Sequence, residues 1–348
     1  MFNLQNILRS NIKNLIPYSS ARDEFKGEAS VFLDANENSF GSPLDTSYNR
    51  YPDPLQIKVK QRLSEIKGVP IPNIFLGNGS DEAIDILFRA FCKPGIDNVI
   101  IVPPTYGMYE VSANINDVEV RKVKLNADYQ VNLNGISEAI DQNTKIIFIC
   151  SPNNPTGNSI NRPDIETILA NFNGLVVIDE AYINYSRQKT FIQELTEYAN
   201  LVVLQTLSKA WGLAGLRLGM AFASEEIIEV FNKVKPPYNI NEASQKLALE
   251  ALQNVDQVND WIKQTVNERE KLFSALSSAP FVTKIYHSDA NFILVKTTNP
   301  GGIYNFLVEK GIIVRDRSKV ELCEGCLRIT VGTPKENELL INTLKSFS

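Results

Sequence analysis

The sequence has little of what metal and redox chemistry needs. Of 348 residues, one is histidine (His287) and four are cysteine (Cys92, Cys150, Cys323 and Cys326). A site built on several histidines is excluded, and a catalytic triad would depend on His287 alone. Cys323 and Cys326 have the spacing of a redox or half-zinc pair. No second pair exists and His287 does not stand with them, so neither role is expected. Three of the cysteines lie in or beside apolar segments, where a buried free thiol is the plain expectation. So few cysteines predict a reduced, cytoplasmic protein rather than a disulfide framework.

Long apolar runs are lacking too. No stretch approaches the ~20 residues that cross a bilayer. The first twenty residues mix charges and amides, so no secretory signal is expected. Nor is there an excess of positive charge. Lys plus Arg is 35 against 40 for Asp plus Glu, a net charge of −5. That balance disfavours a general nucleic-acid binder, which needs a basic footprint. There is no internal repeat and no low-complexity segment.

What is present is an ordinary globular composition, 43% hydrophobic and 22% charged, in a chain long enough for two domains. Strands are predicted at 98–102, 118–125, 145–150, 175–178, 201–204 and 216–223. Helices fit at 80–92, 106–114, 162–171 and 224–233. Strands that are apolar on both faces suit a central sheet covered on each side. The alternation predicts an α/β domain with a mostly parallel sheet. After Pro236 and Pro237 the pattern changes. Residues 241–279 read as one nearly continuous helix, a bridge between domains. Strands at 281–286, 291–296, 312–315 and 326–331, a helix at 302–310 and a last helix from 335 predict a smaller α+β domain.

In a parallel sheet, ligands bind beyond the carboxyl ends of the strands, so those loops hold the candidates. Lys209 follows the strand at 201–204, with Thr206 and Ser208 before it and Arg217 after it. A lysine near buried surface has a disfavoured charged form, which suits a Schiff-base lysine; alone, a solvated loop lysine explains it as well. Asp179 ends the strand at 175–178, and Tyr182 follows. Such a carboxylate can pair with a protonated ring nitrogen, or simply cap a turn. The Ser-Pro-Asn-Asn-Pro-Thr-Gly stretch at 151–157, which includes Asn154, is a long turn to specify so tightly. Gly79, Ser80 and Asp81 open a helix whose N–H groups can bind an anion, although Asp81 and Glu82 would repel one unless they point away. Tyr106 can stack on a flat ring or be a core residue. Arg315, Arg317 and Arg328 lie in or beside apolar strands, where they need an anionic partner, either Asp316 or a substrate.

Taken in order, these stretches resemble the fold-type I pyridoxal-phosphate aminotransferases. Residues 33–38 (Leu-Asp-Ala-Asn-Glu-Asn), 50–54 (Arg-Tyr-Pro-Asp-Pro) and 327–332 (Leu-Arg-Ile-Thr-Val-Gly) strengthen the resemblance, which runs from about residue 16 to 333. It implies a three-layer αβα large domain over 36–250. It also implies a small domain over 251–348, with residues 1–35 as an arm that contributes to the small domain. The implied cofactor is pyridoxal 5'-phosphate, carried on Lys209. Asp179 would pair with the ring nitrogen, Asn154 and Tyr182 would hold the ring oxygen, and Tyr106 would stack on the ring. Gly79, Ser80, Asp81, Thr206, Ser208 and Arg217 would bind its phosphate. Tyr51 would reach that phosphate from a second copy, which implies a homodimer with shared sites. Substrate binding would fall to Tyr18, Asn36, Arg315 and Arg328. The implied substrates are L-histidinol phosphate and 2-oxoglutarate or glutamate. An aromatic amino-acid aminotransferase and a threonine-phosphate decarboxylase-like enzyme remain open on the same framework. A DNA-binding regulator is disfavoured by the acidic balance and by the lack of room for a helix-turn-helix domain. A purely structural protein has no need for Lys209, Asp179 and Arg217 in that order.

Overall fold

The computed structural model describes residues 2–18 and 29–347. Seven strands form one sheet: β1 (Ile74–Asn78), β2 (Asn98–Ile101), β3 (Glu119–Lys122), β4 (Thr144–Cys150), β5 (Leu175–Asp179), β6 (Leu201–Thr206) and β7 (Leu218–Ala223). Their order is β1-β7-β6-β5-β4-β2-β3. The strands from β6 to β3 run parallel, and β7 is antiparallel to both β6 and β1.

Alternate side chains of each strand leave on opposite faces, which explains the layers. Val99, Phe148, Val177 and Val202 pack with helices Ser80–Phe91 (α1) and Glu225–Val234 (α2). Ile100, Ile147, Val176 and Val203 pack with Ile57–Lys67 and Arg162–Asn171 on the other face. The central strands are buried throughout, so their apolar runs were readable without any polar alternation.

A second sheet, in the order β10-β11-β9-β8, is antiparallel throughout. Its strands are β8 (Val282–Ile285), β9 (Phe292–Thr297), β10 (Arg315–Asp316) and β11 (Cys326–Thr330). Leu272, Ile293, Leu327 and Leu340 centre its core. Helix Val255–Ser277 (α3) links the two bodies: Val258 joins the large core and Leu272 the small one. The turn between β10 and β11 also docks on the large body. Cys323 and Cys326 pack into the large core, and Tyr129 Oη donates to Leu322 O at 2.7 Å.

Several expectations need correction. β1 had not been anticipated; its five residues pair only with β7 at the sheet edge. The long helix expected at 241–279 is two helices, Glu242–Ala251 and Val255–Ser277, broken between them. The strand expected at 312–315 shrinks to Arg315–Asp316, because Ile312 N–H turns back to Leu307 O and closes the preceding helix. The start of the arm packs on the large body, not the small one. Ile7, Leu8 and Ile12 join the core of α1, and Arg9 N–H donates to Ala90 O.

Candidate functional site

The loops after β2, β4, β5 and β6 meet the β10–β11 turn around a cavity of about 620 Å³. This is where a parallel sheet places ligands. At its floor lies Asp179, the last residue of β5, almost wholly buried. Its Oδ2 accepts from Tyr109 Oη at 2.7 Å and its Oδ1 from Ala181 N–H at 3.0 Å. Burial holds this carboxyl above the usual carboxylate range, against the pull of those two donors and of Lys209. A buried carboxylate with no salt-bridge cation calls for a positive group from elsewhere.

Lys209 leaves the turn after β6 and opens into the cavity, with Nζ 5.5 Å from the ring centre of Tyr182. Desolvation, then the charge of Arg328, pushes its pKa down, and Asp179 opposes them. More of the nucleophilic free amine is therefore present at neutral pH than on an ordinary lysine.

At one side, α1 begins at Gly79 (φ +73°) with no side-chain cap, so its first N–H groups face the cavity without a protein acceptor from a capping residue. Thr206, Ser208 and Arg217 border the same corner. Gly79 N–H donates to Arg217 O at 2.7 Å, which ties the helix start to β7. A Cβ on Gly219 would lie 2.1 Å from Ser80 N, so only glycine permits that contact. The two acids of this turn behave differently. Glu82 turns back to accept from Asn78 N–H. Asp81 stays in the cavity, 3.6 Å from Arg217, and accepts from Tyr106 Oη at 3.1 Å. The uncapped N–H groups and the Arg217 guanidinium give this corner the donors and the charge to take an anion.

Asn154 connects the two sides. Its Nδ2 donates to Tyr182 Oη at 3.4 Å, and its Oδ1 accepts from Arg328 Nη1 at 2.5 Å. Asn153 beside it is buried and donates to Pro104 O and Thr156 Oγ1, which clamps the loop after β4 to the loop after β2. Thr105 Oγ1 also borders the cavity and is buried without a partner.

Arg315, Arg317 and Arg328 also line the cavity. Arg315 lies directly across from Arg328 in the β10–β11 pair. Asp316, a possible internal partner, instead accepts from Ser318 N–H and Oγ.

Lys209, Asp179, Tyr182, Asn154, Tyr106, Gly79, Ser80, Asp81, Thr206, Ser208, Arg217, Arg315 and Arg328 are therefore brought together. Tyr51, Asn36 and Tyr18 are not. Tyr51 and Asn36 border a separate cavity of about 630 Å³, where Tyr51 stacks on Tyr238 at 4.5 Å. Tyr18 is exposed. His287 is exposed beside Asp289, and the neighbouring Ser288 hydroxyl donates to Phe292 O rather than to the imidazole, so no triad forms. Sequence reasoning missed the role of Tyr109. Its only signal was a place three residues after Tyr106, at the start of the helix Met108–Ile115.

The sequence profile of aminotransferase class I and II matches residues 31–344. The chain is 56% identical over 346 residues to the histidinol-phosphate aminotransferase of Parabacteroides distasonis, covering 99% of each chain. Its fold is similar to the crystal structure of the histidinol-phosphate aminotransferase from Clostridium acetobutylicum (TM-score 0.79, 23% identity, 86% of this chain and 90% of that one). It is equally similar to the enzyme of that name from Sinorhizobium meliloti in complex with pyridoxal-5'-phosphate (TM-score 0.78, 22% identity, 90% of each chain).

Proposed function

The chain belongs to the class I and II aminotransferases, and on that premise we propose that it exchanges an amino group between L-histidinol phosphate and 2-oxoglutarate. The products are imidazole-acetol phosphate and L-glutamate, and the pathway is histidine biosynthesis. Pyridoxal 5'-phosphate is the amino carrier. The observation that carries this reading is one cavity with Lys209 and Asp179 at its floor, a phosphate cradle on one side and arginines without acid partners on the other. The relatives of that name, matched over nearly the whole chain, support it.

The residues fit the carrier. Asp179 supplies the buried negative charge a pyridinium nitrogen needs. The uncapped start of α1, with Arg217, suits a phosphate dianion. When bound, the carrier supplies an aldehyde that condenses with amines and a protonated ring that takes up an electron pair.

The protein's own part is to hold and move protons. Asp179 keeps the ring nitrogen protonated. Lys209 Nζ would take the proton from the substrate carbon and give it back two atoms away, on the carrier's carbon. Tyr182 Oη and Asn154 Nδ2 orient the ring oxygen, and Tyr106 covers a ring face. Arg328 and Arg315 hold the substrate anion by charge and fork geometry.

The same reading includes a homodimer, cytoplasmic and with shared sites. Val31, Leu33, Phe40 and Leu44, in the stretch of chain that also carries Asn36 and Tyr51, are exposed apolar residues, which suits a covering partner. All four cysteines are free and buried, which suits a reducing compartment. Sedimentation of the purified protein checks the dimer.

The test of function is the visible absorption of the carrier-loaded protein. L-Histidinol phosphate alone should abolish the long-wavelength band, and 2-oxoglutarate should restore it. A band that histidinol phosphate leaves untouched would move the donor to an aromatic amino acid or a phosphorylated threonine.

A further inference from the structure

The β10–β11 register has a consequence for Arg317. Residues directly opposite in an antiparallel pair share a face, as do residues two apart on one strand. Arg315 lies opposite Arg328, and Arg317 follows Arg315 by two, with its N–H bonded to Cys326 O at 2.9 Å so that the pairing continues. All three guanidinium groups therefore leave one face of the small sheet, and all three border the cavity.

Like charges side by side destabilise a sheet edge unless an anion answers them. The acids of the same turn do not. Asp316 is held by Ser318, Glu321 pairs with Lys124, and Glu324 accepts from Leu322 N–H. The Nε atoms of Arg317 and Arg328 are both buried without a partner. Nor does the guanidinium of Arg317 hold the turn together: its backbone does that, with Val320 N–H donating to Arg317 O at 2.8 Å. Burial, then the neighbouring Arg315, pushes its pKa down, and Cys323, Tyr182 and Asp316 offset only part of that push.

We propose that Arg317 completes a three-arginine clamp for the phosphomonoester dianion of the amino donor, and that it sets the preference for such donors over carboxylate-only ones. The proposal rests on the substrate reading above. A carboxylate has two oxygens in one plane and is satisfied by a single guanidinium fork. Glutamate therefore needs only Arg328 and Arg315 for its two carboxylates. A phosphomonoester carries three oxygens in a tetrahedron and a second charge, and it gains from a third fork reaching it from a different register position.

The experiment compares wild type, R317Q and R317K as carrier-loaded enzymes, with L-histidinol phosphate and L-glutamate as donors. In R317Q the ratio of kcat/KM for the two donors should fall about 10- to 100-fold, the size of a lost charged hydrogen bond, with KM carrying the change. R317K keeps the charge without the fork, and should recover part of the ratio while controlling for folding. Competitive inhibition by inorganic phosphate should weaken in R317Q in parallel. Equal losses for both donors, or no change for L-histidinol phosphate, would overturn the proposal. Wild-type enzyme that ignores L-histidinol phosphate would instead overturn the substrate reading. Phosphate inhibition then decides for Arg317 by itself: weaker in R317Q sustains the clamp, and unchanged removes it.

Discussion

The two ends of the cavity are built on different terms. At the large sheet, the protein itself fixes the acid and the loops around it. Asp179 has Tyr109 and Ala181, the start of α1 is tied to Arg217 O, and Asn153 clamps two loops. At the small sheet, three arginines crowd one face and, among the described residues, none has an acid partner. One end is a finished mould for a resident group, while the other is an unbalanced charge that waits for a visitor. The difference teaches where rigidity and where charge carry function.

The largest test of that contrast is at Lys209. K209A should keep the carrier bound without a covalent link and lose turnover by about 10²- to 10⁴-fold, the range of a lost general acid–base group. Absorption and amino-transfer rates check both halves of this expectation.

Next is Asp179. In the loaded enzyme, D179N should cost about 10²- to 10³-fold in rate, as a misplaced electrostatic partner does. In the carrier-free protein the sign reverses. Burial raises this carboxyl's pKa, so the ionised form costs stability once pH rises through the folded value. Asparagine removes that cost, and the melting temperature of the carrier-free protein near neutral pH should rise.

Arg328 couples the two ends. R328Q should raise KM for both substrates by about tenfold or more, as expected for loss of a charged hydrogen bond. It also removes a positive charge that lowers the pKa of Lys209. Wild-type capture of the carrier by Lys209 should therefore have its pH midpoint below the ordinary lysine value of 10.5, and the variant's midpoint should lie above the wild type's. A stopped-flow pH profile measures both.

The smallest effect belongs to Tyr109. Its hydroxyl lowers the pKa of Asp179, so Y109F should raise that carboxyl further and loosen its hold on the ring proton. A loss of about tenfold or less in rate fits one neutral donor to a charged acceptor.

Much of the large body could be read directly. The runs at 145–150, 175–178 and 201–204 are buried strands because both of their faces are covered, so apolarity alone reveals them. The loops after them then had to hold the site. Features fixed by pairing could not be read. β1 is short and its partner lies some 140 residues later in the chain, so its pattern was too brief to stand out. The shared face of Arg315, Arg317 and Arg328 depends on the β10–β11 register, which nothing local to residues 312–317 sets. Tyr109 and Asp179 are 70 residues apart and meet only across the packed sheet. The break after Ala251 was hidden because Leu252 continues the apolar face of the helix before it.

Gly219 divides the molecule for anyone who would change its substrate. With Ser80 N where any Cβ would sit, strand and helix start form one part that cannot be edited without moving the uncapped start of α1. The short arginine strand carries no such restriction. The side chains of Arg315 and Arg317 can be exchanged one at a time, and on the proposed reading each exchange alters which anion is welcome. A redesign towards a new donor has its freedom at residues 315 and 317 and its fixed point at residue 219.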